Sequence, residues 1–511
     1  MKNQKVMKSM RFNSKPIAKM IGMLLLSLLI TPVSAVYVNH QGIGQVFVQP
    51  YYSVNNNLNT TVSISNTTEQ TKAVKINIRE GLNGYTVLSY NVYLNAFDAW
   101  SFVLVPGIST IDGFVGQTSL NHISYDHSCA PFLNKASEEF VPFELIDGPQ
   151  DLSRAREGFI EIIDMGEVTG GFIAAGDHGI SGVPENCSAF ETAWESGGVW
   201  HEESGGDVSE NLLPVTGGLV VEADIINVAE GVNYSIPVVA LDNFFAEDQI
   251  AHVAPGDSSL SLDAAEPKAT VFANDKAYQL TFESGIDAVS AVLMSNQLIN
   301  TYVLDSFVAG KSETVLTQPT RRFYVDIPND QISPPYVPLT SHRFSGCFDT
   351  DYSGVRIRQN IVDREAQVES VGDSSCYVPV EICGSVSVQQ YLRPDQQMGD
   401  AGITGSENLT SIGTPYSPST ESGFTLLEFP DTSPLQGFDV VNNESVQILG
   451  LPILGVSLSQ FTNYGAAEGL LAQYGSSHRV NSKSLILEAG EELSSNLAFA
   501  SANTLVCAQA E

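Results

Sequence analysis

The sequence predicts a mainly β protein of tandem antiparallel β-sandwich (Ig-like) domains with a few short helices. Three observations carry this: apolar residues that alternate with a period of two, polar turns that recur between the alternating stretches, and few segments with a helical period. Val62 and Ile64 point one way while Thr61, Ser63 and Ser65 point the other. Val74, Ile76 and Ile78 alternate in the same manner with Lys75, Asn77 and Arg79. Such strands are half-buried, with one face in a core and the other in water.

Further strands are expected at 45–52, 85–94 and 100–105, and beyond them at 158–163, 218–221, 322–325, 424–427 and 446–449. Asn83-Gly84 between two alternating runs is the signal of a type I′ hairpin. Helices are expected at 187–195, at 287–297, where Val289, Val292 and Leu293 form a narrow apolar stripe, and at 466–474. Gly, Ser, Asp and Pro collect at 197–214, 254–267 and 395–420, which read as loops. The first of these divides the chain into an N-terminal β-sandwich domain, 36–200, and a C-terminal β-rich domain or domains, 215–511. No short-period repeat speaks for a solenoid or a propeller.

Residues 1–35 read as a secretory signal peptide. Lys2, Lys5, Lys8, Arg11, Lys15 and Lys19 give a basic flank, an apolar run of Leu, Ile and Met follows, and Val33-Ser34-Ala35 is a small-residue cleavage site. The apolar run is shorter than the ~20 residues of a membrane-spanning helix. No later stretch is long and apolar enough, so no transmembrane segment is expected after cleavage. The destination is extracellular, the cell surface or the periplasm.

The signal contains six of the 24 basic residues, which leaves 18 against 58 acids and a net charge of −40. Nucleic acid as a partner is excluded, because phosphate binding needs clustered Lys and Arg. Such an acidic exterior suits a protein kept soluble by self-repulsion. Six cysteines, Cys129, Cys187, Cys347, Cys376, Cys383 and Cys507, are disulfide candidates in an oxidising compartment. Cys129 is expected to pair with Cys187, and the other four among themselves. No Cys-x-x-Cys supports a zinc knuckle.

No motif rises to a recognisable catalytic or cofactor site. Gly-x-Ser-x-Gly and His-Glu-x-x-His are both missing from the sequence. Glu161, Asp164 and Glu167 are the nearest cluster of acids for glycoside chemistry, which needs two carboxyls at a set separation; a solvated strand face accounts for them equally. His122 and His127 with Asp126, Asp177 with His178, and His201 with Glu202 and Glu203 show no third partner at a ligand spacing. Asp349, Asp351 and Ser353, followed by Gly354, match the front half of a calcium loop, but Asn360 stands where a bidentate Glu is needed. Calcium is thus the one cofactor to consider, with an Asp-rich turn as the alternative. Trp100 reads as core, whereas Trp194 or Trp200 is the candidate for a sugar-stacking platform.

Gly44-Gln-Val-Phe-Val-Gln-Pro-Tyr-Tyr-Ser-Val54, Thr71-Lys-Ala-Val-Lys-Ile-Asn-Ile-Arg-Glu80, Gly158-Phe-Ile-Glu-Ile-Ile-Asp-Met-Gly-Glu167, Asp224-Ile-Ile-Asn-Val-Ala-Glu-Gly231 and Thr320-Arg-Arg-Phe-Tyr-Val-Asp326 resemble segments of an uncharacterised family of secreted, β-rich proteins of Gram-negative bacteria. That resemblance implies a bacterial exported protein and brings no activity with it. The sequons at Asn59, Asn66 and Asn408 are then chance. Two functions fit. One is a non-catalytic secreted or cell-surface protein with a structural, adhesive or assembly role, its partners being itself or other surface proteins, with donation of the strand 36–48 to a neighbour as one route. The other is a secreted carbohydrate-binding or carbohydrate-active protein, with Glu161 and Glu167 near an exposed Trp and extracellular glycans as ligand.

Overall fold

The computed structural model describes residues 35–140, 148–326, 331–337, 354–366, 368–371, 380–393, 395–399, 402–413, 421–430, 432–465 and 472–491. Its architecture is mainly β, with antiparallel pairing in all but one strand pair and one isolated bridge among the described residues.

Two seven-stranded sheets dominate the first half. One has the order Tyr37–Val38, Val239–Asp242, Val46–Ser53, Glu157–Val168, Thr71–Glu80, Thr86–Leu94, with Leu212–Leu213 beside Glu157–Val168. The other runs Val232–Ser235, Leu219–Asn227, Leu58–Asn66, Ala99–Ile108, Thr118–Ile123, Glu138–Glu139, with Ile43–Gly44 beside Leu219–Asn227. They pack face to face: Tyr90 of the first sheet lies edge-on to Phe102 of the second and accepts a 3.2 Å hydrogen bond from Trp100 Nε1.

Strand pairing crosses the expected boundary at 200–215. Leu219–Asn227, Val232–Ser235 and Val239–Asp242 complete the first pair of sheets because their apolar faces match open edges there, as in Val221, Ala223 and Ile225 opposite Ile64, Val62 and Thr60. The later residues form sheets of five, six and five strands and two strand pairs, with the helix Gly285–Leu293 packed against the strand Lys268–Ala273. One hydrophobic core runs from Val36 to Ile486 through both halves, so the described residues do not separate into tandem Ig-like units.

The segment 36–48 is bound within its own chain. Val36 bridges to Ala269, Tyr37–Val38 pairs with Val239–Asp242, and Val46–Ser53 is an interior strand. It is not a free strand awaiting a neighbour. Removing it would truncate an interior strand of the sheet at its start.

The alternation at Thr71–Glu80 is real, yet neither face meets water: every residue of the strand is buried. Val74, Ile76 and Ile78 face the second sheet, and Lys75, Asn77 and Arg79 lie beneath the irregular strap 251–262. Buried loop carbonyls need donors, and this face supplies them. Asn91 Nδ2, Lys75 Nζ and Asn77 Nδ2 donate to the carbonyls of Val253, Ala254 and Leu260 at 2.8, 2.7 and 2.8 Å. Ser89 Oγ donates to Asp257 O at 3.2 Å, and Arg79 Nη2 to Ser261 Oγ at 3.0 Å.

Three local expectations change. Asn83-Gly84 is not a type I′ turn, since only Gly84 has positive φ, at 76°. The Glu80 carboxylate organises that loop instead, accepting from the backbone N–H groups of Leu82, Asn83 and Tyr85 at 2.7, 2.9 and 3.0 Å. The stretch 322–325 begins as a 3₁₀ turn, Arg321–Phe323, because the buried Arg321 reaches Asn83 Oδ1. Tyr474, expected in a helix, lies in the strand Gln473–Arg479; residues 466–471 lie outside the described residues.

Arg154 clamps Glu80 through two bonds, Nε to Oε2 at 3.0 Å and Nη2 to Oε1 at 3.2 Å, with both side chains buried. Loss of one partner from such a pair strands a buried charge, so Glu80→Gln is expected to destabilise the fold by about 3–5 kcal/mol. Urea unfolding of the variant and parent checks it; a midpoint unchanged within error refutes the clamp.

Candidate functional site

The largest departure from β structure is the insertion 169–211, between the strands Glu157–Val168 and Leu212–Leu213. Gly and Ala rich sequence permits two short helices to lie close together, Gly171–Gly176 and Ser188–Trp194. The second coincides with the helix expected at 187–195. Cys129 and Cys187 form the expected disulfide, which ties the insertion to the loop following Thr118–Ile123. Cys383 is also disulfide-bonded; Cys347, Cys376 and Cys507 lie outside the described residues.

Beneath the helices sits an aromatic cluster. Trp200 stacks on Phe172 and Tyr93 with centroids 4.4 and 5.7 Å apart, and Trp194, Phe190 and His252 close around them. The polar edges are all used. Trp200 Nε1 donates to Glu210 O at 2.8 Å, and Trp194 Nε1 to Tyr93 Oη at 3.0 Å. His252 Nδ1 lies 2.7 Å from Val208 O and must carry the proton, which leaves Nε2 to accept from Tyr93 Oη at 2.9 Å. Burial pushes the His252 imidazole down to about 4, so it stays neutral.

Trp194 and Trp200 are therefore interior side chains, contrary to the expectation of an exposed stacking platform. The aromatic ring supplies the apolar base that two helices of six and seven residues cannot supply alone. Above it opens a groove of about 770 Å³, walled by Phe172, Ala175, Ala189 and Ala193 and rimmed by Glu185 and Thr192. Ile173, Ile180 and Val183 on the same insertion are exposed.

The acids singled out in sequence are not a catalytic pair. Alternation puts Glu161 opposite Asn77 on one face and Asp164 opposite Val74 on the other. Glu161 sits 2.8 Å from Arg79 Nε and accepts from Ser261 Oγ at 2.9 Å; Arg322 reaches the same hydroxyl. Asp164 and Glu167 belong to Lys72, at 3.4 and 3.5 Å. Each of the three therefore lies beside a buried cation.

The histidine clusters dissolve as well. His122 is buried against Tyr90 Oη at 3.0 Å, its imidazole pushed down to about 3 by burial. Asp126 instead caps a turn at Ser128. His178 is 3.5 Å from Asp98, and Asp177 accepts from Asn95 and Gly179. His201 meets Ser204 on an exposed turn that also carries Glu202 and Glu203. Among the described residues no three His, Cys, Asp or Glu side chains are placed to hold one metal ion. Asp349, Asp351 and Ser353 lie outside them. No described helix is long and apolar enough to cross a membrane.

Set against family models, curated proteins and solved structures, the chain matches none. The class is given by the fold alone: a mainly β protein with a disulfide-tied helical insertion.

Sequence reasoning missed the groove, although the cue was present in the Gly and Ala content of 170–176 and 189–198, on either side of the disulfide-bonded Cys187. It also missed His252, whose hydrogen-bond and ring partners Tyr93, Trp194, Trp200 and Val208 all come from distant parts of the chain.

His252 is neutral in the fold and has an ordinary pKa near 6.5 when unfolded. A depressed pKa means that its stability contribution is complete above about 6.5 and is lost as pH falls toward 4, by about 3 kcal/mol. Between pH 7 and pH 5, His252→Gln is expected to lose less stability than the parent protein. Chemical denaturation at both values tests this; equal losses refute it.

Proposed function

We propose that this chain is an exported, non-catalytic surface protein with an adhesive or assembly role, and that the groove on the insertion 169–211 is its contact surface. The observation that carries the reading is the combination of a wide groove and exposed Ile173, Ile180 and Val183 on one disulfide-tied element. Exposed apolar side chains on one surface element mark a contact site. A covalent tie such as the disulfide also lowers the ordering cost of association.

Export is carried by the basic and apolar pattern of 1–35 with Val33-Ser34-Ala35, and by the cysteine pairing, which an oxidising compartment favours. Partners are other copies of the chain or other surface proteins. The glycan reading is left without support from its named residues, because Trp194 and Trp200 are covered and Glu161 is bound to Arg79.

Sedimentation and electron microscopy of purified residues 36–511, together with binding to cells and matrix, test the role. Assembly or adhesion is expected, and Ile180→Asp with Thr192→Arg is expected to weaken it about tenfold or more while thermal unfolding stays unchanged. A strictly monomeric protein that binds neither cells nor matrix overturns the proposal. Contacts insensitive to both substitutions overturn the assignment to the groove.

A further inference from the structure

At one end of the first sheet a lysine amine and a carboxyl group are enclosed together. Lys72 and Asp164 come from adjacent antiparallel strands, and both side chains are fully buried. Lys72 Nζ is 3.4 Å from Asp164 Oδ2, 3.5 Å from Glu167 Oε1 and 2.5 Å from Thr216 Oγ1. Thr216 Oγ1 in turn donates to Glu167 Oε1. Glu167 is at the margin, with 14% of its side chain exposed.

The Asp164 carboxyl is held from both sides. Gly166 N–H donates to Oδ1 at 3.0 Å and Gly217 N–H to Oδ2 at 2.9 Å. Gly166 reaches that position through a bulge in the strand with φ at 136°, a conformation that side-chain-bearing residues rarely adopt. Burial raises the acid above its ordinary value, which favours the protonated, electrophilic form.

We propose that Lys72 and Asp164 condense to an intramolecular isopeptide bond, with Glu167 as proton carrier. Two charges sealed from water are costly even when paired. Transfer of one proton from the ammonium to Asp164 gives a neutral amine and a neutral acid. The amine nitrogen, 3.4 Å from Oδ2, attacks the carboxyl carbon, and proximity replaces diffusion. The tetrahedral oxyanion at Oδ1 meets an N–H group already in place, that of Gly166, while Gly217 N–H holds Oδ2, the oxygen that departs. Glu167, with Thr216 as relay, removes a second proton from nitrogen and delivers it to the departing hydroxyl. The C–N bond forms, the C–O bond breaks, and one water leaves; no oxidant or other reactant enters. The product replaces a buried ion pair by a neutral amide.

Mass spectrometry of the intact, folded chain decides it, after full reduction so that disulfides do not contribute. The parent protein is expected to be lighter than its sequence by one water, and proteolysis should give a branched peptide that joins Lys72 to Asp164. Lys72→Arg, which keeps the charge but not the amine, should show full mass. Glu167→Gln should keep the strand pair and the fold while forming the bond far more slowly. A parent protein of full mass, whose Lys72 reacts with an amine reagent once denatured, overturns the proposal whatever the variants do. Equal bond formation in Glu167→Gln overturns the role of Glu167.

Discussion

The strand Thr71–Glu80 has water on neither side, and much of the structure follows from that constraint. A sandwich normally gives its outer face to solvent. Here the outer face of the first sheet is roofed by the strap 251–262, so Lys75, Asn77, Arg79, Ser89, Asn91 and Tyr93 must all find partners without water. They find them in the strap's own backbone and in Glu161, Ser261 and His252. The arrangement meets two needs at once: the layer's donors find acceptors, and the carbonyls of an irregular segment that would be costly to bury alone find donors.

That layer also accounts for the company Arg322 keeps. Its guanidinium joins Arg79 around Glu161 and Ser261, and burial lowers its pKa to about 10, with the Arg79 charge adding to the effect. Two arginines facing one glutamate are tolerable because Ser261 divides the hydrogen bonds between them. Lys75, brought down to about 7 by burial, stands further along the same layer and binds a neutral carbonyl. The later half of the chain therefore reaches the first sheet through charge as well as through the common hydrophobic core.

Strand existence was legible because alternation is a local property: Leu58–Asn66, Thr86–Leu94, Ala99–Ile108 and Ser422–Glu428 all stand close to where the period placed them. What covers a strand is not local. The same letters Lys75-Ile76-Asn77-Ile78-Arg79 describe a solvated face and a face roofed by residues about 180 positions away. Trp200 was ambiguous for the same reason, since its burial depends on Tyr93 and His252. The boundary drawn through 197–214 failed because a Gly-rich stretch there is the return path of an insertion, not a link between domains. Cysteine pairing was legible at Cys129 and Cys187, where sequence proximity and spatial proximity coincide.

The interior placement of Val46–Ser53 sets an order on folding. This strand precedes most of the described chain, yet its neighbours are Glu157–Val168 and Val239–Asp242. It cannot be enclosed until some two hundred further residues are present, and Val36 waits for Ala269. Pairings of such long separation form slowly and leave early segments uncovered. A chain with this topology acquires its shape late, and a polypeptide that has not yet acquired its shape is one that can be threaded through a narrow pore.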